Sequence, residues 1–251
     1  MLFVVRRVYH IDMTVSRQVH GNTRAGGTGA RARMKKRMLD TAMRLMEEGL
    51  IPSVSEVAEA AEVSRATAYR YFPSQAAMIQ ETVAQALGPI LEWESDSTEA
   101  EERIADLIDF AYPHIETYEA THRAVLMLAI DQWTRGKAGT LGNEARLVRG
   151  NRKGLLNAAL KPLKNRLSPA EFDRLTQALS LVFGTEALVV LKDISGLDGE
   201  EARRVAIWAS LALVRSAIAD SGAVERSRRQ SGMKTKSGMK TARKRTGRTV
   251  N

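Results

Sequence analysis

Residues 49–77 read GLIPSVSEVAEAAEVSRATAYRYFPSQAA, two short helical patterns joined by a tight turn. Ser53-Val54-Ser55-Glu56 has capping-box spacing: the Ser53 hydroxyl accepts from the N–H three residues on, and Glu56 reaches back. Val54, Val57, Ala58 and Ala61 follow at i, i+3, i+4 and i+7, one face of a helix. Val63 enters the core from the turn, and Ser64 caps the next helix. On that second helix Ala68 and Tyr71 face inward, leaving Arg65, Ala66, Thr67, Tyr69 and Arg70 outside. Phe72-Pro73 ends it, because a residue before proline is pushed out of the α region, and Ser74 caps a further helix. This is a helix-turn-helix layout, which places its second helix in a DNA major groove. One position in such turns tends to the left-handed region, where a residue such as Glu62 costs roughly 1–2 kcal/mol. Either this turn differs or it carries that strain.

Helical periods continue on both sides. A first helix is expected over 33–48, with Met38, Leu39, Ala42, Leu45 and Met46 inward and Gly49 as its stop. A fourth runs from Gln75 into the low 90s, interrupted at Gly88-Pro89, which reads equally as a hinge or as a helix end. Further helices are expected from Ile104 through Ile115, over 119–134 with Trp133 on it, and over 143–160. Ser168-Pro169-Ala170-Glu171 opens another, reaching about Ile194 with Gly184 inside it, where close approach of a partner helix would justify a glycine. The last, 200–219, is apolar on more than one face and is expected to bury against both its own domain and a second subunit; a monomer core is the alternative. The fold class is all-α.

The chain has 251 residues, no cysteine and a formal net charge of +9. Disulfides, thiolate metal sites and cysteine nucleophiles are therefore excluded. The charge is concentrated at the ends. Residues 221–251 hold ten Lys/Arg against one Glu, and residues 1–33 six Arg against one Asp, which leaves 34–220 with a net of −5. Four segments follow: a basic arm without order (1–32), the DNA-binding unit (33–80), a helical regulatory and dimerisation domain (81–220), and a basic tail without order (221–251). Met13 and Met34 are alternative start sites. The tail repeats Ser-Gly-Met-Lys-Thr at 231 and 237; it either adds non-specific phosphate contacts or only solubilises. No apolar h-region is present, and no run approaches the ~20 apolar residues of a membrane span. A cytoplasmic protein with no membrane partner is the expectation.

The first helix, the pattern VSEVAEAAEVS and the run ATAYRYFPSQAAM resemble the TetR family of bacterial regulators over residues 35 to about 80. The resemblance implies an all-helical homodimer that binds a palindromic double-stranded operator. It also implies a second domain in which a small-molecule effector, apolar or amphipathic, releases the DNA. The DNA-facing set is then Ser53, Ser64, Arg65, Ala66, Thr67, Tyr69, Arg70, Tyr71 and Gln75. Arg65, first after its cap, suits bidentate pairing to guanine. Thr67 and Tyr69 suit phosphate or thymine-methyl contacts, and Arg70 a backbone contact. Family members commonly carry a phosphate-binding lysine where this chain has Gln75.

Tyr112, His114, Met127, Trp133 and Phe183 are candidates to line an effector cavity, each with an ordinary core role as its alternative. The block 166–219 resembles the dimer-forming end of one TetR subgroup, with Leu179, Phe183, Gly184, Trp208 and Leu211 as interface candidates. His114 and His122, at i and i+8 without supporting ligands, make no metal site. No cofactor and no catalytic constellation is expected. A ligand-responsive repressor is the leading reading; an activator or architectural protein whose second domain only dimerises is the alternative.

Overall fold

The computed structural model describes the backbone of residues 27–147 and 150–245, with side chains over 29–147 and 150–222. Residues 1–26 of the expected arm, and the tail's side chains from 223 onward, lie outside the described residues. Among the described residues all regular elements are helical. They are α1 (Gly27–Glu47), α2 (Val54–Ala60), α3 (Arg65–Tyr71), α4 (Gln75–Leu91), α5 (Ala100–Thr117), α6 (Glu119–Lys137), α7 (Asn151–Ala159), α8 (Pro169–Leu179), α9 (Thr185–Val189) and α10 (Gly199–Arg245). A 3-10 turn, Lys161–Leu163, follows α7, and a π-helical turn, Val190–Ile194, follows α9.

Three apolar clusters organise the chain. In the first, Met38, Leu39, Ala42 and Leu45 of α1 meet Val54, Val57 and Ala58 of α2, Ala68 of α3, Phe72 and Met78. Gly49, at φ +84°, ends α1 as expected: its N–H donates to Met46 O and that of Leu50 to Leu45 O. The large second cluster joins the end of α4 to α5, α7, α8 and α10. A small third cluster, Met46, Ile79, Ala124 and Leu128, is where α1 and α4 meet α6. It is the mechanical joint between the N-terminal head and the body.

Helix α10 lies along α5 through Ala202, Ala206, Ser210 and Val214, small or compact side chains at i+4 spacing that allow close packing. Arg203 pairs with Asp109 at 3.1 Å and Arg215 with Glu101 at 2.6 Å. By length and composition Gly199–Gly222, 24 residues of mean hydropathy 1.2, is long and apolar enough to cross a membrane. No run was expected to come so close. Four buried residues and two ion pairs tie it to α5, and 17% of that apolar window is buried within the chain.

Several boundaries depart from the sequence reading. Helix α1 starts at Gly27 rather than 33, and α7 starts only at Asn151. Helix α4 runs through Gly88 and Pro89 to Leu91, so the expected interruption at that step is not there and the proline lies within the last turn. The expected helix from 169 to 194 is three pieces, broken ahead of Gly184. The backbone of α10 continues to Arg245, although the tail was expected to lack order. That stretch has no apolar stripe to reveal a helix, but no proline stops one either.

Candidate nucleic-acid interface and central cavity

The helix-turn-helix is built by local chemistry. Glu56 N–H donates to Ser53 Oγ at 3.2 Å and Ser53 N–H to Glu56 Oε2 at 2.7 Å, closing the capping box. The hydrogen bond from the Ser53 backbone, then that from its hydroxyl, holds the Glu56 carboxyl below its usual range. Across the turn Val63 N–H donates to Ala58 O at 2.8 Å. Glu62 sits at φ +53°, the one non-glycine residue with positive φ among those described. The turn therefore keeps its usual shape and carries the strain. Thr67 N–H donates to Ser64 Oγ at 3.2 Å, and the Ser64 hydroxyl donates to Thr67 Oγ1 at 2.9 Å. That leaves the Thr67 hydroxyl hydrogen free to donate outward.

Ala68 and Phe72 anchor α3 in the head core, with Tyr71 half-buried beside them. Arg65, Ala66, Tyr69 and Arg70 occupy its exposed side, together with the half-buried Thr67. The Tyr69 hydroxyl lies 3.4 Å from Ser55 Oγ on α2, which steadies the ring. Gln75 takes another role than the one expected of it. Its side-chain amide donates to both Ile51 O and Pro52 O at 3.1 Å, tying α4 to the α1–α2 loop. Both amide hydrogens are thus committed, and any phosphate contact here falls to the backbone N–H groups opening α4.

Arg31 belongs to the basic arm expected to lack order, yet it stands on α1. The extra turns of α1 bring its guanidinium 5.5 Å from the centroid of the Tyr71 ring, a cation–π distance. Ala30, Arg31 and Met34 of α1 and Thr67, Arg70 and Tyr71 of α3 line a cleft of about 510 Å³ with two cations and no acid in its wall. The signal was absent from the sequence because glycines 26, 27 and 29 read as a loop.

In the body, a cavity of about 110 Å³ opens between α4, α5, α6, α7 and the α8–α9 link. Val83, Leu87 and Ile90 of α4 form one wall, and Val125, Leu126 and His122 of α6 another. Arg152, Leu155, Phe183, Gly184 and Thr185 close the far side. Of the five expected cavity residues only Phe183 is there. Tyr112 is fully buried but donates to Val182 O at 3.0 Å, and burial pushes its phenol up. His114 bonds Phe110 O at 2.9 Å within its own helix. Met127 and Trp133 are 58% and 65% exposed. Helix α6 is apolar on several faces, and the one it buries carries Thr121, His122, Ala124, Leu128 and Gln132. Gln132 earns that place by pinning the following loop: its amide donates to Glu144 Oε1 and Ala145 O, and its carbonyl accepts from Leu147 N–H.

His122, only 5% exposed, has no hydrogen-bond partner at Nε2. Burial lowers its pKa to about 4, so the ring is neutral at pH 7. An unsatisfied buried group of this kind costs roughly 1–3 kcal/mol. Opposite it, Arg152 donates to Ser180 O at 3.1 Å and pairs with Glu186. Gly184 stands at φ +111°, and an added Cβ would come within 3.2 Å of the Arg152 Cζ. Its close partner is therefore a guanidinium rather than a neighbouring helix.

The interface candidates divide in the same way. Leu179 and Phe183 are buried in the chain's own core and Gly184 is buried beneath Arg152, so these three cannot meet a second subunit. Trp208 is 73% exposed and Leu211 half-buried. Other large apolar side chains left in solvent include Leu181, Val190, Ile194 and Val205. The π turn bearing Val190 and Ile194 is fixed by Arg123, which clasps Asp193 with two 2.7 Å bonds, and by Lys192, bonded to Glu119 and Glu116.

Residues 38–82 match the family model for bacterial regulatory proteins of the tetR family. Comparison with curated proteins yields no match. Among solved structures, the crystal structure of a TetR transcriptional regulator from Rhodococcus sp. RHA1 is similar, with a TM-score of 0.50 and 18% identity. The similarity covers 75% of this chain and 97% of that one, and at this identity it speaks to the fold. Over residues 38–82 the capped helix pair with its exposed α3 is similar to the DNA-binding domain of tetR-family regulatory proteins, and it is set on an all-helical body with the fold of the Rhodococcus regulator.

Proposed function

We propose that the chain is a homodimeric, cytoplasmic repressor that holds a palindromic operator through two copies of α3 and releases it when a small molecule fills the body cavity. The observation that carries this reading is the path of α4. Met78 is in the head core, Ile79 in the joint with α6, and Val83, Leu87 and Ile90 in the cavity wall. Whatever moves the cavity wall moves the head. A ligand needs only to bind one placement of α4 better than the other to shift the population between them. The exposed Trp208, Val205 and Ile194 support a second subunit against the C-terminal helices, since monomers seldom leave large apolar patches in water.

Arg65 reads bases in this account, with Thr67, Tyr69, Arg70 and Arg31 placing the domain on phosphates. Ser53 and Ser64 set the helix ends. The cavity's small volume, about 110 Å³, favours the second reading, an activator or architectural protein whose body only dimerises. Binding of the full-length protein to its palindrome and to a copy with five base pairs inserted at the centre tests the dimer. The insertion turns one half-site to the opposite face of the duplex. Loss of affinity of tenfold or more supports the dimer, and equal affinity overturns it. Added effector that fails to change operator affinity would leave only the second reading.

A further inference from the structure

Helix α10 leaves the body at the end away from the head. The long direction is set by α4: Met78 lies in the head core and Ile90 in the body core, about 18 Å apart at 1.5 Å per residue. Just beyond, the Trp93 ring centroid lies 5.6 Å from the guanidinium of Arg103, so α5 begins at that far end. It finishes beside α6, whose Ala124 and Leu128 form part of the joint with the head. Helix α10 runs the opposite way along α5. Gly199 packs against Glu116, Arg203 pairs with Asp109, and Arg215 pairs with Glu101. Where the tail begins, the Ser221 hydroxyl donates to Arg166 O at 3.2 Å. From Gly222 the helical backbone continues to Arg245, about 35 Å further at 1.5 Å per residue.

Residues 223–251 carry ten Lys/Arg against one Glu, and no Leu, Ile, Phe, Tyr or Trp. A helix that lies in a membrane interface needs such side chains on its apolar face. Dense positive charge without them suits the phosphates of a nucleic-acid duplex, which charge alone can hold. The body surface at this end cannot share the task, since Glu94, Asp96, Glu99 and Glu102 are exposed there and repel a phosphate backbone. DNA held by α3 lies at the opposite end of the molecule. We propose that the tail of α10 binds a second DNA duplex, without regard to sequence, so that protein seated on one duplex captures another. The proposal rests on the DNA-binding head for the first duplex only.

DNA from upstream of the protein's own gene, immobilised and loaded with full-length protein, is offered a short fluorescent duplex of unrelated sequence. The wild type is expected to retain it, with retention falling steeply as salt rises. A full-length variant with all ten tail Lys/Arg replaced by Gln should load on the first duplex with affinity within about threefold of wild type, and retain at least about tenfold less of the second. Replacing only Lys240, Arg243, Lys244, Arg245 and Arg248 should give an intermediate loss, which a folding failure would not produce. Equal retention by the wild type and the fully neutralised variant would overturn the proposal. So would a wild type that retains no second duplex, whether its tail lies on the first duplex or on the body's own acids, and so would a preference for phosphatidylserine vesicles over DNA. Failure of the first duplex to load would count against the head alone. The tail is then tested by binding of the unrelated duplex in solution: its slope of log K against log salt should shallow by at least about 3 in the neutralised variant, and an unchanged slope would overturn the proposal.

Discussion

Replacing His122 by leucine changes how stability depends on pH, by an amount the burial of the ring sets. The imidazole takes up a proton near 6.5 in the unfolded chain and only near 4 in the folded one. Between those values the unfolded state binds more protons, so stability rises with pH there. The contribution is complete above 6.5 and is lost as pH falls through the folded value. A separation of about 2.5 pH units at roughly 1.4 kcal/mol each amounts to about 3 kcal/mol. Leucine has no proton to take up and removes the orphaned Nε2, so His122→Leu should match or exceed the wild type at pH 7. Its advantage should then grow by about 3 kcal/mol between pH 6.5 and 4. Glu119 and Arg123 are common to both proteins and their titration largely cancels in the difference. Urea unfolding of both proteins at half-unit pH steps measures it. Parallel curves through that window would refute the buried, neutral ring.

Three further outcomes follow from single contacts. Glu62→Gly relieves a left-handed residue worth roughly 1–2 kcal/mol and forfeits part of that as unfolded-chain entropy, so a gain of about 0.5–1 kcal/mol is expected in chemical denaturation. Arg31→Ala should weaken binding similarly on all DNA sequences and shallow the slope of log K against log salt by about 1 per protomer, as loss of one phosphate contact requires. Trp208→Glu places a charge on the exposed apolar side of α10 and should shift the protein toward monomer in sedimentation, with its helical content unchanged.

What could be read in advance was what short-range chemistry decides. The capping box at Ser53, the cap at Ser64 and the stop at Gly49 each depend on residues within a few positions, and each stands as expected; of the two alternatives left open at Glu62, the strained turn is the one present. The rotation of α6 was not legible, because Val125, Leu126, Met127, Leu128 and Ile130 offer several apolar faces and no period selects one. The break ahead of Gly184 was hidden by an apolar stripe that runs straight through it. Arg152, which packs over that glycine, comes from a helix distant in sequence. Gln75 and Arg31 show the same limit at the head: one turned inward to loop carbonyls, the other brought to Tyr71 by helix where glycines implied a loop.

The most direct test of the central claim is a footprint on the DNA upstream of the protein's own gene, made with the wild type and with Arg65→Ala. The account predicts a protected palindrome with the wild type. It further predicts that the variant loses about 1–3 kcal/mol of discrimination at one base pair per half-site, with little change on unrelated DNA. A variant that protects the same palindrome with undiminished discrimination would contradict the assignment of α3 as the reading helix.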